Sequence, residues 1–128
     1  FGKIEQEAEE AGIPVIAWMY PRGRNVPDES DPKVVAYAAR VGLELGADIV
    51  KIRYTGDPVS FRWAVRSAGE TKVVMMGGAK EEENSFLERV KTAMEAGAIG
   101  VAVGRNVWQA SEPLAIAKKI AEVIWEET

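Results

Sequence analysis

The sequence contains no cysteine and no histidine. These two absences exclude disulfide bonds, thiolate nucleophiles, imidazole general bases and zinc sites built from cysteine or histidine ligands. Any acid–base chemistry must therefore come from tyrosine, lysine, aspartate or glutamate side chains. The absence of cysteine also fits a cytoplasmic protein, and this is the compartment that we expect.

Long apolar runs and dense basic segments are missing as well. No apolar run approaches the ~18–20 residues that a membrane-spanning helix needs, so we predict no membrane segment. The net charge of −4 and the lack of a basic stripe argue against a nucleic-acid partner. The 128 residues are 47% hydrophobic and 28% charged, which predicts one globular domain over 1–128. Because the chain opens without methionine, we expect its first residue to be an internal position of a longer parent.

Helical and strand patterns alternate along the chain. Short apolar runs predict strands at 13–20, 49–54, 72–76 and 99–103. Amphipathic segments that end at glycines predict helices at about 2–11, 32–45, 58–68 and 81–96. A last helix is expected from about Pro113 to near the C-terminus. Asp31-Pro32 and Asp57-Pro58 have the residue types that begin helices, so we interpret Asp57 as a cap and not as a catalyst.

This alternation predicts an α/β fold with a parallel sheet. The strand starts lie roughly 25–35 residues apart, which is the size of a βα unit. Their continuous apolar character predicts burial on both faces of the sheet. Four such units fit either a small doubly wound sheet or a (βα)4 half of a (βα)8 barrel. Both folds bind ligands at the carboxyl ends of their strands, so the expected functional rim follows Tyr20, Tyr54, Met76 and Val103.

Lys51 stands in the centre of an apolar strand segment, Ile49-Val50-Lys51-Ile52. Burial at this position opposes the ammonium charge, lowers the lysine pKa and leaves a neutral amine that can attack a carbonyl. The alternative is a lysine whose stem packs while its ammonium reaches solvent, which is harder in mid-strand than at a strand end. We therefore predict a catalytic role for Lys51.

Trp18 and Tyr20 share one face of the first strand, because successive side chains of a strand alternate. Tyr20 lies at the carboxyl end, where a phenol can donate a proton and then hold the resulting oxyanion. If this strand neighbours that of Lys51, the phenol and the amine converge on one substrate carbon. The pattern alone favours a core position for Trp18.

Glycines follow the last two strands, as Gly77-Gly78 and as Gly104 before Arg105. Backbone N–H groups at glycines can approach a phosphate closely, and an arginine adds a charge-assisted hydrogen bond. A phosphate site formed by the last two βα loops recurs in barrels. Neither segment has the spacing of a P-loop or of a dinucleotide fingerprint. The two loops are therefore candidate phosphate-binding segments.

Several of these segments together resemble a known family. They are Trp18-Met19-Tyr20-Pro21-Arg22-Gly23, Ala47-Asp48-Ile49-Val50-Lys51, Tyr54-Thr55-Gly56-Asp57, Gly77-Gly78 with Lys80, and Val103-Gly104-Arg105-Asn106-Val107-Trp108-Gln109. In this order they resemble archaeal-type class I fructose-bisphosphate aldolases over nearly the whole chain. The resemblance implies the C-terminal half of a (βα)8 barrel, with its fifth to eighth strands and a preceding helix.

The same resemblance implies a role for each candidate residue. Lys51 would form a Schiff base with a phosphorylated ketose, Tyr20 would transfer protons, and Trp18 would line the sugar site. The phosphate of the substrate would be held by Gly77, Gly78, Gly104 and Arg105. No metal or cofactor is expected, because the protonated imine itself accepts electrons. Met76 departs from the family pattern, where a small or hydroxyl residue is expected, and we expect it to narrow the phosphate loop.

Two other functions remain open from the sequence. The segment around Met19 and Tyr20 also resembles 2-amino-3,7-dideoxy-D-threo-hept-6-ulosonate synthases, which run a transaldolase-like reaction. A non-catalytic half-barrel scaffold that dimerises is the third alternative. Since a half barrel exposes two sheet edges and its inner face, we expect a homo-oligomer or pairing with a second half-barrel.

Overall fold

The computed structural model describes residues 1–125, which form an alternating series of helices and strands. The helices are α1 (Gly2–Glu10), α2 (Pro32–Glu44), α3 (Pro58–Ser67), α4 (Glu83–Glu95), α5 (Arg105–Trp108) and α6 (Pro113–Trp125). The strands are β1 (Ile16–Trp18), β2 (Ile49–Ile52), β3 (Lys72–Met76) and β4 (Gly100–Ala102). Across this part of the chain, no helix is long and apolar enough to cross a membrane.

The four strands form one parallel sheet in the order β1-β2-β3-β4. Lys51 of β2 is in register with Trp18 on one side and with Val74 on the other, and Val74 is in register with Gly100. A doubly wound sheet needs a point where the strand order reverses, whereas a barrel adds each strand next to the preceding one. The sheet is therefore the half of a (βα)8 barrel, and the doubly wound alternative is wrong.

The two faces of the sheet differ in burial. One face packs against the helices and is buried, through Ala17, Val50, Ile52, Val73 and Met75. On the opposite face, Ile16 is 51% exposed and Trp18 is 68% exposed. The prediction of burial on both faces is therefore wrong, because only half of a barrel wall surrounds the inner face. That inner face is where the candidate catalytic side chains project.

Two predicted helix starts are confirmed by side-chain hydrogen bonds to the exposed backbone donors of the first turn. The Asp31 carboxylate accepts from the N–H of Lys33 at 2.8 Å, and the Asp57 carboxylate accepts from Val59 and Ser60 at 2.9 Å each. Helix α4 begins later than predicted, because the Glu82 side chain caps it. Asp57 is thus a helix cap, as predicted, and we assign it no catalytic role.

Other element boundaries also differ from the sequence prediction. Strand β1 covers only part of 13–20, because the Ile13 N–H bonds the last turn of α1 and the Val15 N–H bonds the Asp48 carboxylate. Strands β2 and β4 are shorter than predicted, whereas β3 matches 72–76. Helix α5 was not predicted, because one turn carries no detectable periodicity. The predicted end of the last helix, beyond Trp125, lies outside the described residues.

Candidate active site

Lys51 projects from the second strand of the sheet onto its inner face. Its chain neighbours Val50 and Ile52 are both fully buried toward the helices, so the alternation of the strand directs the lysine the other way. The side chain is half-buried, and this burial lowers the pKa of the Lys51 ammonium below its ordinary value. A lowered pKa raises the fraction of neutral amine, which is the form that attacks carbonyls.

Trp18 lies beside Lys51 on the neighbouring strand. The Lys51 Nζ is 3.8 Å from the centroid of the Trp18 ring, within the range of a cation–π contact. Trp18 is 68% exposed, so the interpretation as a core aromatic is wrong. The ring covers one side of the amine and leaves its own outer face open to a ligand.

Tyr20 completes this cluster at the carboxyl end of β1. The centroid of its ring is 5.8 Å from the Lys51 Nζ and 6.4 Å from the Trp18 ring. Its hydroxyl oxygen is buried and has no hydrogen-bond partner among residues 1–125. Burial raises the pKa of Tyr20, and the positive charges of Arg53 and Arg22 oppose this rise. Tyr20 therefore stays protonated at neutral pH and can donate.

Near Tyr20, Glu29 forms ion pairs with two arginines, and these contacts were not predicted from the sequence. Glu29, in the loop before α2, pairs with Arg53, and its other oxygen lies 3.4 Å from the Nε of Arg22. The Arg22 guanidinium carbon is 5.9 Å from the centroid of the Tyr20 ring. A loop glutamate and a loop arginine have no periodicity that places them together, so only the fold reveals this contact.

The two glycine segments adjoin each other at the ends of β3 and β4. A Cβ on Gly77 would lie 2.8 Å from the Val103 Cα, so the close approach of the two strand ends requires glycine there. Gly78 has φ +73°, which side chains rarely adopt. The Arg105 guanidinium donates to the Gly78 carbonyl at 3.2 Å. The structure thus joins both predicted phosphate segments into one loop pair.

A cleft of about 250 Å³ opens at the carboxyl end of the sheet, and most of the predicted site residues line it. Its lining includes Tyr20, Lys51, Gly78, Gly104 and Arg105, together with Met76, Ala102 and Trp108. Trp18 and Gly77 are not part of this lining; Trp18 lines an adjacent hollow with Tyr20. No role was predicted for Trp108, although its ring packs over Gly104.

A cavity of about 310 Å³ lies at the opposite end of the sheet, between α1 and the turn before β2. Glu5, Glu9 and Asp48 line it, and their carboxylates would repel a phosphorylated ligand. No group of three or more aspartate or glutamate side chains within residues 1–125 is arranged to hold a metal ion. The carboxyl-end cleft is therefore the candidate active site.

Comparison with known proteins identifies the family of this chain. The profile described as DeoC/LacD family aldolase matches residues 1–110. The chain therefore belongs to the DeoC/LacD family of aldolases. A solved structure of an archaeal fructose-1,6-bisphosphate aldolase, whose catalytic lysine is bound to the carbinolamine intermediate of its substrate, superposes with a TM-score of 0.93 at 48% identity. The match covers 96% of this chain and 49% of that one.

Curated relatives include an aldolase and a synthase. The class 1 fructose-bisphosphate aldolase of Thermoproteus tenax is 50% identical over 96% of this chain and 47% of that protein. The 2-amino-3,7-dideoxy-D-threo-hept-6-ulosonate synthase 1 of Archaeoglobus fulgidus is 43% identical over 96% of this chain and 45% of that protein. The chain thus spans about half the length of the curated relatives that it matches.

Proposed function

We propose that this chain carries the catalytic half of a class I, Schiff-base, fructose-bisphosphate aldolase. The observation that carries the proposal is the half-buried Lys51 amine, whose Nζ lies 3.8 Å from the Trp18 ring centroid and 5.8 Å from that of Tyr20. This amine faces the same cleft as the glycine loops. The similarity to archaeal fructose-bisphosphate aldolases supports the choice of substrate.

The reaction begins when the neutral Nζ of Lys51 attacks the ketone carbon of the sugar. The resulting carbinolamine loses water and becomes a protonated imine. The bond between the α and β carbons then breaks as the β-hydroxyl loses its proton. The electron pair of that bond moves into the imine, which becomes an enamine, and the aldehyde product leaves. Protonation of the enamine and hydrolysis release the ketone product and restore the amine.

Tyr20 is the residue that we propose to move these protons. Its hydroxyl is buried at the cleft and has no hydrogen-bond partner in the described part of the chain, so it is free to bond a substrate oxygen. Because burial raises its pKa, the phenol is protonated at neutral pH and can donate to the leaving hydroxyl of the carbinolamine. The phenolate can then accept the proton of the β-hydroxyl.

A phosphate group of the sugar fits the loop pair at the other side of the cleft. Gly78 and Gly104 bring main chain to the cleft surface, and Arg105 adds a cation. The phosphate would anchor the substrate so that its ketone carbon reaches Lys51. Trp18, on the other flank of the amine, would pack against the sugar.

Reductive trapping tests the proposal. Borohydride added with fructose 1,6-bisphosphate should reduce the imine and attach the sugar to Lys51, which peptide mass spectrometry detects. Lys51→Met should abolish this adduct. Lys72→Met is the matched control, because Lys72 is also a strand lysine, in register with Ile49 at the amino end of β2, away from the cleft. Trapping that persists in Lys51→Met would refute the proposal.

A second candidate is the transaldolase-like synthase reaction, which the 43% identical relative favours. It would use the same amine and the same phenol on a different pair of substrates. The exposed ring of Trp18 supports the aldolase, since a large ring at that position suits a sugar site. Assaying the protein with the substrates of both enzymes separates the two candidates.

We also propose that the open inner face is covered by a second copy of the chain. The outer strands β1 and β4 leave two edges, and Ile16 and Trp18 are apolar side chains exposed on that face. Two copies would supply the eight strands of a closed barrel. Sedimentation and light scattering should detect a dimer, whereas a stably folded monomer would contradict it.

A further inference from the structure

Asn106 is a buried polar residue for which no role was predicted. It is only 6% exposed and lies in α5, behind the glycine loop that follows β3. Its side-chain amide donates to the carbonyls of Gly77 and Ala79, at 2.9 Å each, and its side-chain oxygen accepts from the N–H of Glu81 at 3.0 Å. One side chain thus bonds the main chain of the loop at three alternate positions, 77, 79 and 81.

These bonds fix the orientation of the loop peptides. In a trans peptide the carbonyl of one residue and the N–H of the next point in opposite directions. The Gly77 carbonyl is turned toward Asn106 and also accepts from Arg89 at 2.8 Å, so the Gly78 N–H points the other way. Gly78 lines the cleft, whereas Asn106 and Gly77 do not. The Gly78 N–H therefore points away from Asn106, and none of the described carbonyls accepts from it.

We propose that Asn106 is the positioning residue of the phosphate subsite. It acts through the backbone, because it holds the carbonyls of Gly77 and Ala79 inward and thereby keeps the Gly78 N–H directed at an incoming phosphate oxygen. A donor held in place before the ligand arrives binds without the cost of reorganising a flexible glycine loop. This inference rests on the proposed function, since it assigns the loop to a phosphorylated substrate.

Two arginine side chains also bond carbonyls of the loop, and neither replaces Asn106. Arg89 reaches the Gly77 carbonyl but not that of Ala79, and it also pairs with Glu81. Arg105 bonds the Gly78 carbonyl from the cleft side, where a phosphate would compete for its guanidinium. Asn106 alone among these three bonds the main chain at both ends of the loop, whereas the contact of Arg89 with Glu81 is to its side chain.

The experiment compares Asn106→Ala with Thr71→Val. Thr71 is a matched control, because its buried hydroxyl donates to the Ala47 carbonyl at 3.0 Å, at the amino end of the sheet. Calorimetric titration with inorganic phosphate measures the subsite, and borohydride trapping of dihydroxyacetone at Lys51 measures the amine without any phosphate. Thermal melting identifies variants that are not folded, and Asn106→Ser serves if the alanine variant does not fold.

Asn106→Ala should weaken phosphate binding about tenfold, the effect of losing one well-placed hydrogen bond. Its dihydroxyacetone trapping rate should stay within about twofold of the wild type, since Lys51 is on another strand. Thr71→Val should change neither. Unchanged phosphate affinity in a folded variant, or an equal loss of both readouts, would overturn the inference. A wild-type protein that traps no ketone would refute the Schiff-base function, while the phosphate titrations would still decide the role of Asn106.

Discussion

The Nζ of Lys51 lies 3.8 Å from the centroid of the Trp18 ring, on the strand next to its own. The two residues are direct register partners in a parallel ladder, so this contact follows from the pairing of β1 with β2. The Trp18 ring excludes water from one side of the Lys51 amine, and the surrounding sheet excludes water from another side. This desolvation is the physical origin of the lowered pKa on which the proposed chemistry of Lys51 depends.

The reactivity of Lys51 should increase with pH earlier than that of a free lysine. Only the neutral amine reacts, and because the pKa of Lys51 is lowered by burial, the neutral fraction rises at lower pH than in a solvated amine. Acetylation of Lys51, followed by mass spectrometry across a pH series, should give a midpoint below that of a lysine model peptide. A midpoint equal to or above that of the peptide would contradict the desolvated amine.

Tyr20→Phe should lower turnover more than it lowers imine formation. The variant removes the proton donor, which is worth about 10²-fold or more in rate. The amine of Lys51 is retained, so the borohydride adduct should still form. Tyr37→Phe is the control, because Tyr37 is 70% exposed on α2. Equal loss of turnover and of the adduct would mean that Tyr20 acts only in imine formation and does not move the protons of cleavage.

Most of the fold could be predicted because the longer helices and the strands carry local signals. Asp31 and Asp57 mark helix starts through bonds to their own first turns, and the apolar runs mark strands. Lys51 was identifiable because a lysine inside an apolar strand has few structural explanations. Once consecutive strands are assumed to pair in parallel, the proximity of Tyr20 to Lys51 follows from the strand positions alone.

The parts that the sequence did not reveal depend on contacts between distant segments. Glu29 and Arg53 are 24 positions apart, and Asn106 reaches Gly77 across 29 positions. Nothing in the local pattern distinguishes these side chains from solvated loop residues. The exposure of Trp18 could not be predicted for another reason. An apolar residue in a strand gives the same sequence pattern whether its face of the sheet is buried or exposed to solvent.

Phe61→Ala should destabilise the half barrel strongly. Phe61 is 0% exposed in α3, and its ring centroid lies 5.1 Å from that of Tyr54, next to the lysine strand. Truncation of a buried phenylalanine costs about 3–5 kcal/mol in the free energy of unfolding. Val59→Ala, on the same helix but 74% exposed, should stay within about 0.5 kcal/mol. Urea unfolding measures both, and similar values for the two variants would contradict the core position of Phe61.

Glu29→Gln should lower the pKa of Tyr20. Burial raises this pKa, whereas the positive charges of Arg53 and Arg22 lower it, and the carboxylate of Glu29 pairs with both arginines. Glutamine removes the negative charge but keeps one acceptor oxygen, so the arginines stay near the ring while their charge is less compensated. The phenolate is then better stabilised and forms at lower pH than in the wild type.

Carbon-13 NMR of ring-labelled tyrosine, with the Tyr20 signal assigned through Tyr20→Phe, measures this pKa directly. The alkaline limb of the turnover profile should move to lower pH in the same variant, because the proton donor is lost earlier. Glu44→Gln is the matched control, since Glu44 pairs with Arg40 on the exposed side of α2. A Tyr20 pKa that is unchanged or raised in Glu29→Gln would show that Glu29 does not set the charge around the phenol.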